Sequence, residues 1–236
     1  MKNTRINRFS EGIRDGVPIG LGYLSVSFTF GLAAVAAGIP IWAAIAISMT
    51  NLTSAGQFAG ISMIAAAAGY LEVALSQLVI NLRYALMSVS LSQRLDKALG
   101  TWHRLGISFG ITDEIFAVAS TKDGRVGGRY MGGLMLVPYL GWTLGTVLGA
   151  VAGALLPPSV QSALGIAIYG MFLAIIVPVA KKSLPVFVVL LIAVALSCMF
   201  RYLPFLAGVS DGFVIIICAV VAAGFGAVFF PDKEGL

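Results

Sequence analysis

The most unusual feature of the chain is a group of polar residues inside apolar sequence. Residues 50–57 read Thr-Asn-Leu-Thr-Ser-Ala-Gly-Gln, and Glu72 and the triplet Asn81-Leu82-Arg83 interrupt the apolar segment that follows. Unpaired polar groups are costly in apolar surroundings, so a chain that keeps this many is expected to hold something polar there. We therefore predict six substrate-binding residues, which are Asn51, Thr53, Ser54, Gln57, Asn81 and Arg83.

The first group of polar residues predicts a break in a helix. An unwound helix exposes backbone N–H and C=O groups, and the half-helix beginning near Phe58 points a partial positive charge at the break. That helix end suits a carboxylate, and the exposed carbonyls suit an ammonium group. The alternative is a polar kink whose groups satisfy one another without a ligand.

Arg83 requires a partner, since an arginine in the middle of an apolar segment is usually paired or functional. The candidate partners are Glu72, Asp113 and Glu114. One hypothesis is that these carboxylates load and release a proton beside Arg83, and the alternative is a structural ion pair. Thr112 could also cap a helix that starts at Asp113, where acidic residues are favourable for electrostatic reasons alone.

The sequence contains none of the common enzyme signatures. It has one histidine, and its two cysteines, Cys198 and Cys218, lack the spacing of metal ligands. There is no phosphate-binding loop, dinucleotide fingerprint or nucleophile elbow. We expect neither an enzyme nor a bound metal or cofactor.

Composition indicates a chain that lies in a lipid bilayer. Only 11% of its residues are charged and 59% are hydrophobic, whereas a soluble domain carries about 25% charged residues. The net charge of +5 sits in short clusters at segment ends, which is typical of cytoplasmic loops and not of nucleic-acid binding. The basic start of the chain, with Lys2, Arg5 and Arg8, predicts a cytoplasmic N-terminus.

The apolar segments predict an all-α polytopic membrane protein with six to eight membrane segments. After a basic start over 1–16, the first span opens at Val17, next to Pro18. Residues 40–69 are too long for one straight span of about 20 residues, which predicts a broken or re-entrant second segment. The next segment, residues 70–95, is polar on two faces, so we expect it to be central in the bundle.

The chain is expected to form a single membrane domain over 1–236. It divides into the start 1–16, a first unit 17–92, a connector 93–129 with a short apolar segment at 105–121, and a second unit 130–236. The side of residues 93–104 stays open. These residues lie outside if the two broken segments cross, and inside if both segments are re-entrant.

Small residues mark two of the segments. Glycines at 141, 145, 149 and 153 form a stripe along one helix face, which predicts close helix packing. Residues 23–40 and 139–157 are both small-residue spans that end in proline, which suggests two three-element repeats or a chance similarity between Ala/Gly-rich helices.

Several short motifs appear in an order that is specific to one family. They are Ser54-Ala55-Gly56-Gln57-Phe58, Ile80-Asn81-Leu82-Arg83-Tyr84, Ile111-Thr112-Asp113-Glu114 and the run from Tyr139 through Trp142 to Gly149. With these motifs the chain resembles the AzlC family of branched-chain amino acid exporters over almost its whole length.

The resemblance implies a permease of the bacterial inner membrane that exports hydrophobic amino acids beside a small AzlD-type membrane subunit. The absence of ATPase motifs favours coupling to the proton gradient, with Asp113, Glu114 and Glu72 as candidate proton-coupling groups. Two other functions stay open, which are a small-solute channel and a structural or regulatory membrane subunit.

Overall fold

The computed structural model describes residues 5–157, 159–160, 173, 176–206 and 208–230. The second half of the predicted repeat continues beyond these residues, so the repeat stays a prediction. The described elements, in chain order, are β1 (Arg5–Ile6), α1 (Phe9–Ala36), α2 (Ile41–Thr50), α3 (Ala55–Ala65), α4 (Tyr70–Arg94), α5 (Thr101–Phe109), α6 (Asp113–Ser120), β2 (Arg125–Val126), α7 (Gly128–Leu155), α8 (Leu184–Tyr202), a 3-10 turn (Pro204–Leu206) and α9 (Asp211–Phe229).

The prediction of a helical membrane protein is confirmed, apart from one pair of two-residue strands. Five helices in the described part of the chain are long and apolar enough to cross a membrane, namely α1, α4, α7, α8 and α9. The total of six to eight membrane segments stays a prediction.

The first span begins earlier than the sequence predicts. α1 starts at Phe9, so Pro18 lies inside the helix and not near its first turn. A 28-residue helix is about 42 Å long, which exceeds the hydrocarbon thickness of about 30 Å. The extra turns form because Gly12 and Gly16 pack closely against the first turns of α7.

α1 and α7 form a closely packed parallel pair, and glycines permit this approach. A methyl group added at Gly141, Gly145 or Gly149 would overlap backbone or side-chain atoms of α1. The same methyl at Gly153 would lie 3.4 Å from Leu32 Cδ2, an ordinary contact. The predicted packing role of the stripe is therefore confirmed, and three of its four glycines are sterically required.

The contacts of the described residues fall into two compact units. One lies within Met1–Phe58 and Asn81–Gly165, and the other within Ala59–Ile80 and Ile166–Leu236. The predicted division of the chain into a first unit over 17–92 and a second unit over 130–236 rests on a sequence repeat, and it stays a prediction.

The predicted break in the second segment is confirmed. α2 ends at Thr50 and α3 begins at Ala55, so residues 51–54 are not helical. We call residues 51–54 the first break. It forms because the Asn51 side chain accepts a hydrogen bond from the Thr53 backbone N–H at 2.9 Å, which offers the chain an alternative to helix. Ser54 then adopts a left-handed backbone with φ of 45°.

A second break divides the apolar segment that the sequence presents as one piece, 105–121. α5 ends at Phe109 and α6 begins at Asp113, so residues 110–112 are not helical. We call residues 110–112 the second break. Thr112 is the N-cap residue at which α6 begins, since its hydroxyl accepts a hydrogen bond from Ile115 N at 3.4 Å.

The N-terminus, the connector and the loop before α7 meet in the first unit. β1 and β2 pair in parallel, with Ile6 opposite Val126. Asp96 N donates to the Val126 carbonyl at 2.9 Å, and Gly127 N donates to the Ile6 carbonyl at 2.8 Å. Residues 95–96 therefore lie at the same end of the α1–α7 pair as the start of the chain.

The second unit contains the first turns of α4 together with α8 and α9, and α8 packs against α9. Glu72 accepts a hydrogen bond from Gly212 N at 2.9 Å, and the Ser76 hydroxyl donates to the Gly212 carbonyl at 3.1 Å. Glu72 thus caps the N-terminus of α9.

The expectation that residues 70–95 are central in the bundle stays a prediction, because α4 belongs partly to each of the two units. Little of the most apolar stretch of α4 is buried in the described chain. The described partners of α4 include Gly212 near its start and the core around Leu91 and Leu95 near its end.

Candidate functional site

The helices that lead to the two breaks, α2 and α5, approach the middle of the α1–α7 pair from opposite ends. α2 runs from the far end of α1 until the Met49 carbonyl accepts a hydrogen bond from Tyr139 OH at 3.1 Å. α5 starts at Thr101, soon after residues 95–96, and the ring of Phe109 at its end lies 6.2 Å from the Tyr139 ring between centroids. Tyr139 lies near the middle of α7, so both breaks adjoin the same level of that helix.

The first break is lined by neutral polar groups. Gln57 in the first turn of α3 is 2% exposed, and its Nε2 donates to Ser48 Oγ at 3.1 Å. Ser48 Oγ shares a hydrogen bond of 2.7 Å with Thr146 Oγ1 on α7, and both residues are buried. The chain Gln57–Ser48–Thr146 ties α2, α3 and α7 together at this level.

Two acceptors beside this chain of hydrogen bonds have no partner in the described residues. They are Gln57 Oε1 and Thr53 Oγ1, both inaccessible to solvent. A buried acceptor left without a partner is destabilising by about 1–3 kcal/mol. The first turn of α3 also carries no acidic residue, so its partial positive charge is not matched by a carboxylate of that turn. The first break can accept both a positive and a negative ligand group.

The second break carries charge. Asp113 Oδ2 forms an ion pair with Arg83 Nη1 at 2.6 Å, and the two side chains are 46% and 48% exposed. Glu114 Oε2 accepts a hydrogen bond from Tyr23 OH on α1. Asp113 and Glu114 both lie in the first turn of α6, where the partial positive charge of the helix N-terminus favours carboxylates.

Aromatic residues fill the space between the breaks. Tyr23 packs edge-to-face on Trp142, with ring centroids 5.3 Å apart, and Leu52 of the first break joins the same cluster. A neighbouring cavity of about 210 Å³ is lined by residues of both breaks, the end of α5 and α7, including Leu52, Gly110 and Tyr139. Its walls are mainly apolar, which suits a hydrophobic side chain.

Arg83 lies near the middle of α4 and has a second neighbour besides Asp113. Its guanidinium carbon lies 5.1 Å from the centroid of the Tyr84 ring, and its Nη2 donates to Tyr84 OH at 3.4 Å. Stacking on an aromatic ring is favourable for a guanidinium group. The contact orients Arg83 toward α6.

The structure brings most of the predicted site residues together in the first unit. Those of the first break and those around Arg83 belong to that unit, as do Asp113 and Glu114. Glu72 belongs to the second unit, where it caps α9. The predicted site residues in the first unit are Asn51, Thr53, Ser54, Gln57, Asn81, Arg83, Asp113 and Glu114.

Sequence reasoning missed four residues that support this site, which are Tyr23, Ser48, Trp142 and Thr146. Ser48 and Thr146 are isolated hydroxyls in apolar helices, a weak signal because such hydroxyls often bond to their own helix. Trp142 and Tyr23 look like ordinary packing residues. Among the described residues no group of three His, Cys, Asp or Glu side chains could hold a metal ion.

Comparison with known proteins gives one family. The model of the AzlC family, described as AzlC protein, matches residues 18–156. The matched region includes both breaks and the α1–α7 pair, except for the first turns of α1.

Two relatives have similar identity. The chain is 32% identical to the inner membrane protein YgaZ of Escherichia coli K12 over 173 residues, 70% of this chain and 71% of the relative. It is also 32% identical to an uncharacterized membrane protein of Archaeoglobus fulgidus over 175 residues, 73% of this chain and 76% of the relative. No solved structure matches the chain significantly.

Proposed function

This chain belongs to the AzlC family, and we propose that it is a secondary transporter that exports branched-chain or similar hydrophobic amino acids. Its substrate would cross without chemical change. The observation that carries the proposal is the meeting of two helix breaks, one neutral and one charged, at the middle of α1 and α7. Discontinuous helices of this kind hold substrates and coupling ions in transporters.

The first break would hold the polar ends of the amino acid. The α3 N-terminus is favourable for its carboxylate, and the acceptors Gln57 Oε1 and Thr53 Oγ1 are favourable for its ammonium group. Asn51 and Ser54 would shape the break through the turn described above. The apolar walls around Leu52 and Tyr139 would receive the side chain.

The second break would couple transport to protons. Asp113 pairs with Arg83 and Glu114 bonds to Tyr23, so protonation of either carboxylate would release a contact between α6 and another helix. Asn81, two residues before Arg83 on α4, is proposed as a further substrate-binding residue. Glu72, as the cap of α9, has weaker support as a coupling group.

We further propose that both broken segments are re-entrant. The supporting observation is that residues 95–96 bond to Val126, which pairs with the N-terminal strand. If α1 and α4 each cross the membrane, α2–α3 then enters and leaves on the outer side, and α5–α6 does so on the cytoplasmic side. The N-terminus would face the cytoplasm of a bacterium.

A small AzlD-type membrane subunit is the proposed partner. The long exposed stretch of α4 and the half-exposed Arg83–Asp113 pair support this, because charged groups at such a depth are usually covered by protein. The partner would also complete the transport unit in the bacterial inner membrane.

Counterflow of labelled leucine in proteoliposomes tests the proposal, with the chain and its small subunit reconstituted together. We expect saturable uptake that is stimulated by unlabelled leucine inside the vesicles. Thr53→Val is expected to lower this uptake about tenfold, because it removes a buried acceptor.

Thr50→Val is the matched control, since Thr50 is exposed and its hydroxyl bonds to its own helix at Ala46 O, 2.7 Å away. It should transport like the unchanged protein. Flux without saturation or trans-stimulation would indicate a channel. No uptake of any hydrophobic amino acid would overturn the proposed function.

A further inference from the structure

The indole N–H of Trp142 is a buried donor that has no partner in the described residues. Trp142 is 1% exposed, and its Nε1 makes no hydrogen bond there. A buried indole N–H usually finds an acceptor. The hydroxyls of Tyr23 and Tyr139 donate to Glu114 and to the Met49 carbonyl, and neither accepts a hydrogen bond from Trp142.

Trp142 lies beside the first break. Its ring contacts Tyr23 on α1, and both residues share a buried cluster with Leu52 of that break. On α7 it is four residues before Thr146, so both side chains lie on one face, one helical turn apart. Thr146 bonds to Ser48, and Ser48 accepts from Gln57.

The two unpartnered groups are complementary. Trp142 Nε1 can only donate, and Gln57 Oε1 can only accept. Trp142 packs in one cluster with Leu52 of the break, and Gln57 lies in the first turn of α3 directly after it. The two residues are linked through one turn of α7 and the Ser48–Thr146 and Gln57–Ser48 hydrogen bonds. A zwitterionic amino acid presents an acceptor, its carboxylate, and a donor, its ammonium group, a few bonds apart.

We propose that Trp142 is a substrate-binding residue, whose indole N–H donates to the carboxylate of an α-amino acid while Gln57 Oε1 accepts from the ammonium group. This inference rests on the proposed function. It adds a donor to a site that sequence reasoning built from Asn51, Thr53, Ser54 and Gln57. It also makes the carboxylate a required part of the substrate.

Fluorescence provides a direct test, because the other two tryptophans are exposed. Trp42 is 74% exposed and Trp102 is 84% exposed. The variant Trp42→Phe/Trp102→Phe leaves Trp142 as the only indole in the chain. With a tryptophan-free version of the small subunit present, leucine is expected to change the Trp142 emission in a saturable manner, and leucinol, which lacks the carboxylate, is expected to change it far less.

A second variant separates the N–H from the ring. Trp142→Phe keeps an aromatic face against Tyr23 but removes the donor. The unchanged complex is expected to bind leucine at least about tenfold more tightly than leucinol, and Trp142→Phe is expected to bring the two within about twofold by weakening leucine alone. Trp42→Phe is the matched control and should leave the preference intact.

The outcomes separate the two proposals. Suppose that the unchanged complex shows leucine counterflow. An unchanged preference for leucine over leucinol in Trp142→Phe, or no fluorescence response in the single-tryptophan protein, would then overturn the role of Trp142 alone. If Trp142→Phe does not fold, the single-tryptophan protein decides between these results. The absence of leucine binding and counterflow in the unchanged complex would overturn both proposals.

Discussion

The first and second breaks have the same backbone arrangement and differ in charge. Each separates two short helices beside the middle of the α1–α7 pair, and each is followed by a helix N-terminus. α3 begins with Ala55, Gly56 and Gln57, whereas α6 begins with Asp113 and Glu114. The positive end of α6 is therefore already matched by its own carboxylates, and that of α3 is not.

This difference indicates a division of roles. A neutral break with unpartnered buried groups gains from a ligand that brings its own charges. In the second break Arg83 is already paired with Asp113. Gain or loss of a proton by a carboxylate there would therefore change the contacts between helices. This difference supports the proposal that the first break binds substrate and the second responds to protons.

The largest expected effect comes from separating α1 and α7, because this disturbs both breaks at once. Gly149→Ala would place a methyl against the Phe28 carbonyl, and we expect the free energy of unfolding to fall by about 1–3 kcal/mol. Thermal unfolding in detergent would measure this. Gly153→Ala, the same substitution one turn later, meets only an ordinary contact and should change stability little. Equal losses in the two variants would contradict the packing described.

Removing the charge of the second break should affect function more than stability. The Arg83–Asp113 pair is half-exposed, so Arg83→Gln is expected to change the free energy of unfolding by less than about 1 kcal/mol. Leucine counterflow should nevertheless fall about tenfold, because Asp113 loses its ion-pair partner at the second break. The double variant Arg83→Gln/Asp113→Asn should fold but respond little to an imposed pH gradient. Normal proton-driven transport in that double variant would show that groups other than Arg83 and Asp113 couple transport to protons.

The smallest effect is expected at Glu72, the acidic candidate outside the first unit. Glu72→Gln retains an oxygen that can accept from Gly212 N, so stability should change by less than about 1 kcal/mol and transport should keep its pH dependence. Glu72→Leu removes the cap and should be destabilising by about 1 kcal/mol. A pH profile altered by Glu72→Gln would show that Glu72, and not only the second break, takes part in coupling.

The sequence predicts the first break well because segment length and polarity agree. A segment of 30 residues over 40–69 exceeds one span, and Asn51 and Thr53 are residues that bond to nearby backbone. The second break was harder to find. The cap residue Thr112 was recognised, but the helix before it starts at Thr101, in a polar stretch that reads as loop.

Long-range partners were beyond the sequence. Arg83 had three candidate carboxylates, and only the fold selects Asp113. The buried Ser48–Thr146 hydrogen bond joins residues 98 positions apart, and neither is marked by a local pattern.

The side of the connector tests the central claim most directly, because two re-entrant breaks require residues 95–96 to lie on the side of the N-terminus. Ala98 and Ala66 are both exposed, and each can be changed to cysteine after Cys198 and Cys218 are replaced by serine. With an impermeant thiol reagent, Ala98→Cys is expected to react only from the cytoplasmic face and Ala66→Cys only from the outer face. Labelling of Ala98→Cys from the outer face would mean that the broken segments cross the membrane, which would contradict the re-entrant arrangement.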